Sequence, residues 1–110
     1  MKKKIRDIII YDVILRNSSF FTKTEIILLQ YFINQAFTFN NDVVWYKVDK
    51  ILNDCDFYET YLYRALKRLK EKNIIDIITL TNEEKKKNKI NTSKAVVINF
   101  NYDEWNIKIK

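Results

Sequence analysis

The 110-residue chain has no glycine, no proline and no histidine, and only one cysteine, Cys55. Each absence excludes something. Without glycine there is no Gly-rich loop to cradle phosphates and no dinucleotide-binding fingerprint. Without histidine there is no His-based triad and no imidazole metal ligand. One cysteine permits neither an intramolecular disulfide nor a zinc cluster. Asp54 and Asp56 flank it and disfavour the thiolate, so Cys55 is expected to pack as a small hydrophobe. Catalysis would have to use carboxylates, lysines, tyrosines or that thiol, and no pair of these stands out. The chain therefore reads as a non-enzyme, with no catalytic residue, metal, cofactor or small-molecule ligand expected.

Long apolar runs are also missing. None approaches the roughly 18–20 residues of a membrane span. The start, MKKKIRDIIIYDVIL, has the basic head of a signal peptide. Arg6, Asp7 and Asp12 break its apolar core, and no small-residue cleavage site follows. A cytoplasmic protein with no membrane partner is expected. Lys2–Arg6 reads as a solvated basic tail.

Apolar residues make up 47 % of the chain, enough for one folded domain over residues 1–110 with one modest core. The formal net charge is +6. Lys, Ile, Asn, Tyr and Phe have AT-rich codons, so abundant lysine alone says little. Its placement says more. Residues 57–94 carry ten Lys/Arg against five Asp/Glu, a net of +5, and residues 1–6 carry +4. Everything between and beyond them is net negative. Concentrated positive charge points to a nucleic-acid partner.

Asp56–Ile75 organises the chain. Leu62, Ala65, Leu66 and Leu69 form one apolar helical stripe. Thr60, Arg64, Lys67 and Arg68 lie opposite, flanked by Tyr61 and Tyr63. Asp56 and Glu59 have capping-box spacing, and Asn73 is placed to end the helix in the left-handed conformation. Upstream, Ile8–Tyr11 reads as a short strand and Asp12–Arg16 as a helical turn. Thr22-Lys23-Thr24-Glu25 is a capping box, with Phe21 and Ile26 as its hydrophobic staple. It opens a helix to about Phe37 with Ile26, Leu29, Phe32, Ile33 and Ala36 inward. Ile27 and Tyr31 fall on the far side. Asn40-Asn41-Asp42 is a turn, Val43–Tyr46 a strand, and Lys47–Asn53 a helix with Val48, Ile51 and Leu52 inward. Ile74–Thr81 and Lys94–Phe100 read as an antiparallel pair, joined by a lysine-rich loop over Asn82–Ser93. Trp105, Ile107 and Ile109 alternate like one more strand, with Trp105 expected in the core.

The order is helix, strand, helix, turn, helix, strand, basic loop, strand. It resembles the winged helix-turn-helix superfamily. RALKRLKEKNIIDI looks like the end of that family's recognition helix running into the first wing strand. YKVDKILNDCDF looks like the preceding helix and turn. The opening IIIYDVILRNSSFFTKTEIILLQYF is similar to small plasmid and phage replication or helix-turn-helix proteins. Two glycines usual in the family are absent; Asn73 stands for one of them. The resemblance spans about Ile8 to Phe100. It implies an α+β fold, a three-helix core with a β-hairpin wing, here with an extra N-terminal strand and turn.

It also implies sequence-specific binding of double-stranded DNA. The role would be transcription regulation, or replication or conjugative transfer of a plasmid or virus. Thr60, Tyr61, Arg64, Lys67 and Arg68 match the groove-facing helix. Lys85, Lys86, Lys87, Asn88, Lys89, Asn91 and Lys94 match the wing. The helix begins with Asp56, Phe57, Tyr58 and Glu59, a poor surface for a phosphate-lined groove, so the wing is expected to carry much of the contact. The alternative for the wing lysines is that their charge keeps an exposed hairpin edge from pairing. The rival from another class is a winged helix used for protein–protein contact, its basic face simply solvated. Ile27 and Tyr31, with the apolar termini, suggest a homodimer.

Overall fold

The computed structural model describes residues 6–88, 92 and 94–107. Among the described residues, five helices longer than a single 3₁₀ turn pack with a three-stranded antiparallel sheet in an α+β arrangement. The helices are α1 (Ile8–Leu15), α2 (Lys23–Phe39), α3 (Val48–Cys55), α4 (Glu59–Glu71) and α5 (Asn82–Asn88). The strands are β1 (Val43–Tyr46), β2 (Ile75–Thr79) and β3 (Lys94–Ile98), with β3 in the middle.

The first departure from expectation is α1. Ile8–Tyr11 is not a strand; Ile8–Leu15 winds as a π-helix. Its buried residues are Ile9, Ile10, Val13 and Ile14, two pairs four residues apart. That repeat turns one face inward in a helix, whereas a strand would bury alternate residues. β-Branching suggested strand, and packing against α2 overrode it. The buried Asn17 side chain closes the segment by donating to the Val13 carbonyl at 2.7 Å.

Helix α2 starts where its cap requires. Thr22 is the N-cap, and its hydroxyl accepts from the Glu25 N–H at 3.2 Å. The buried face holds Glu25, Leu28, Leu29, Phe32, Ile33 and Ala36, with Ile26 only partly covered. The helix ends at Asn40, which takes φ 53°. Asp56 and Asn73, at φ 53° and 60°, end α3 and α4 in the same left-handed conformation. A chain without glycine has given this work to Asn and Asp, whose short polar side chains tolerate it best. Asp56 is therefore the stop of α3. It is not the start of α4, whose N-cap is Tyr58 with no side-chain cap bond.

The sheet is pinned by register. Val44 and Ile77 both stand opposite Val96, and Ile75 stands opposite Ile98. These residues line the helix-facing side with Tyr46. On the other side Trp45 and Ile78 flank Ala95, which is fully buried between its neighbours' rows. The core joins this sheet face to α1, α2 and α4 through Ile14, Leu28, Phe32, Leu62, Leu66 and Leu69.

Two further expectations are corrected. Asn82–Ser93 is not a loop throughout, because Asn82–Asn88 is helical. Thr81 and Glu84 form a capping box there: Glu84 N–H donates to the Thr81 hydroxyl at 3.2 Å, and Thr81 N–H to the Glu84 carboxylate at 3.4 Å. The tail is not a strand over its described length. Tyr102–Glu104 is a 3₁₀ turn that delivers Trp105 into the core, where its indole N–H donates to the Asn99 carbonyl at 2.6 Å. Ile90 and Ile109 lie outside the described residues. Among the described residues no helix is long and apolar enough to cross a membrane.

Candidate functional site

Helix α4 buries Leu62, Ala65, Leu66 and Leu69, the stripe the sequence shows. That burial leaves Thr60, Tyr61, Arg64, Lys67 and Arg68 exposed together, with Tyr58 and Tyr63 on the flanks. The Arg64 guanidinium lies 5.9 Å from the centre of the Tyr61 ring, and the Tyr58 and Tyr61 rings are 6.2 Å apart. Both contacts hold aromatic surface outside the core.

Arg68 is less free than its position on the wheel suggests. Its guanidinium lies 3.7 Å from the Glu25 carboxylate on α2. Lys72 reaches the same carboxylate at 3.0 Å. Sequence reasoning read Glu25 as the acid of a capping box. Its backbone N–H takes the cap bond, but its side chain turns to α4 instead.

Of the residues matched to the wing, Lys94 lies beside α4. It opens β3, paired with Tyr46 on one side and Thr79 on the other. Its ammonium lies 5.8 Å from the centre of the Tyr63 ring. Lys94, Lys85, Lys47, Asp49 and Thr92 line an open cleft of about 340 Å³ between the start of α3 and the hairpin. Sequence reasoning missed Lys47 as part of this surface, because it lies on a different element. Desolvation first, then the Glu59 and Asp49 carboxylates, push the Tyr63 phenol above its ordinary pKa.

Lys85, Lys86 and Lys87 fall in the last turn of α5, and Glu83 and Glu84 in its first. This arrangement suits the helix dipole. It also means the wing's positive charge is partly balanced by its own carboxylates. The motif T-x-x-E at Thr81–Glu84 was the signal for this helix. Asn88 closes α5; Lys89 and Asn91 lie outside the described residues.

Ile27 and Tyr31 do not stand free on α2. Both are half-buried, and Tyr31 packs against the core with its ring edge-on to Phe32. Its hydroxyl donates to Asp54 at 3.3 Å. Burial, the Asp54 charge and this hydrogen bond raise its pKa to about 12. Cys55 is partly buried against the core, and burial followed by the Asp54 carboxylate pushes its thiol up. Comparison with protein-family models, curated proteins and solved structures gives no match.

Proposed function

We propose that this chain is a small winged-helix protein that binds double-stranded DNA, with α4 as recognition helix and the β2–β3 hairpin, carrying α5, as wing. The order α2, β1, α3, α4, β2, β3 and the sheet order β1-β3-β2 are compatible with that fold. One observation carries the functional reading: Lys94 at the base of the hairpin sits 5.8 Å from Tyr63 on α4. It sets the base of the hairpin beside the flank of α4, which supports reading the helix and the hairpin together. Arg64 and Lys67 supply cations from the helix, and Lys85, Lys86 and Lys87 from α5. The role that follows is transcription regulation, or service in replication or transfer of a plasmid or virus.

The experiment is binding of a mixed-sequence duplex at two salt concentrations. Phosphate contacts release counterions, so affinity falls steeply between about 50 and 200 mM salt. Absence of binding at the lower salt would discard the DNA reading in favour of a protein partner. Selection of bound sites from a random library then gives the sequence preference.

A further inference from the structure

The start of α4 is a poor reader of base edges. Direct readout uses Arg, Lys, Asn or Gln aimed at donors and acceptors in the groove. Here Tyr58, Glu59 and Tyr61 occupy that end, with Asp56 just ahead of it. Their carboxylates would meet the phosphates that line a duplex groove.

The same positions are well made for stacking. Tyr58 is 78 % exposed, Tyr61 47 % and Tyr63 43 %. The rings of Tyr58 and Tyr61 are 6.2 Å apart and inclined at 38°, and the Arg64 guanidinium follows 5.9 Å from Tyr61. Two aromatic planes and a planar cation make a row on which nucleobases stack without regard to sequence. On the other flank, Tyr63 adjoins Lys94, which opens onto the cleft shared with Lys47 and Lys85. Three lysines against one aspartate give that cleft an attraction for phosphate.

A duplex cannot use such a row, because its base faces are stacked against one another. An unpaired strand can lay its bases on the rings while its phosphates run toward the lysines. Resting on the DNA-binding reading of this surface, we infer that besides a duplex it takes an unpaired strand, its bases stacked on Tyr58 and Tyr61 and its backbone drawn to Lys47, Lys85 and Lys94.

Fluorescence anisotropy with a labelled single strand of about 12 nucleotides, and with the same sequence as a blunt duplex, tests this. The single strand should bind with an affinity comparable to that of the duplex. Tyr58→Ala and Tyr61→Ala should each weaken it about 5- to 150-fold, the range expected for loss of one stacked base. Duplex affinity should barely move. Tyr58→Phe and Tyr61→Phe should bind as the wild type does, since the ring remains. Both side chains are exposed and Tyr58 makes no side-chain cap bond, so folding is not at issue, and circular dichroism verifies it. No binding of the single strand, or a single-strand affinity indifferent to the Ala variants, overturns the inference and leaves the DNA reading standing. Binding of neither probe overturns both.

Discussion

The Glu25 carboxylate is 1 % exposed and lies 3.0 Å from the Lys72 ammonium, joining the first turn of α2 to the residue after α4. A buried charge is costly unless paired, so the last turn of α4 is fixed by where Glu25 sits. The Lys72 ammonium is also 5.7 Å from the centre of the Phe21 ring, just ahead of α2. Lys72→Met leaves Glu25 with only Arg68, at 3.7 Å, for a charged partner among the described residues. A loss of roughly 2–3 kcal/mol is expected, below the full figure for an unpaired buried charge because Arg68 remains. Urea unfolding of wild type and variant measures it. An unchanged midpoint would mean the pair holds nothing.

The three left-handed caps make a second prediction. Asp56 is exposed at φ 53°, with no side-chain cap bond for α4 to lose. Asp56→Ala should cost about 1 kcal/mol, because alanine has no side chain to ease the left-handed conformation. Asp56→Gly should not, since glycine adopts that conformation freely. Thermal melts that rank alanine level with glycine would contradict the assignment of Asp56 as the stop of α3.

Charge at the proposed interface can be divided by mutation. Replacing Lys85, Lys86 and Lys87 together with alanine should weaken DNA binding for all sequences. It should also reduce the slope of log affinity on log salt by up to about 3. Arg64→Ala should cost about 1–3 kcal/mol and alter preference at one position if Arg64 reads a base, or weaken all sites alike if it meets phosphate. Salt titrations that match the wild type remove the corresponding element from the interface.

Tyr31 makes stability depend on alkaline pH. Its folded pKa of about 12 lies above the ordinary 10.0. The fold therefore favours the neutral phenol, and this contribution is complete below pH 10 and lost as pH rises toward 12. Tyr31→Phe should decline less across that window, measured as the urea midpoint at each pH. Parallel declines for the two proteins would show that Tyr31 titrates as a free phenol.

Self-association is the last expectation. Tyr11 and Leu15 on α1 are exposed, and Ile27 on α2 is half-buried. We propose that a second copy covers this apolar surface, and Ile27→Asp should then shift sedimentation equilibrium toward monomer. Tyr31 is the weaker choice for substitution, since its hydroxyl already serves Asp54. A wild-type mass near 13.4 kDa at high concentration would end the proposal.

Much of the local structure is fixed by neighbours in the chain, and so was legible. Thr22 caps α2, Asn73 ends α4, Val43–Tyr46 is a strand, and the four apolar residues of α4 face inward. Each follows from a turn of backbone or a helical period, which needs nothing from far along the chain. Even the α5 capping box and the paired spacing of α1 were written there, under lysine content and β-branching that suggested loop and strand. Other features depended on contacts between distant residues. Glu25 had a local role available and took Lys72 instead, 47 positions away. Lys94 met Tyr63 only because β3 entered the sheet between β1 and β2. Asp56 stood at capping distance from Glu59, but packing of α3 against α4 made it the end of one helix, not the beginning of the next. Sequence specifies which conformations a segment can hold; burial against the rest of the chain selects among them, because only the assembled core removes apolar surface from water and leaves a charge such as Glu25 in need of a partner.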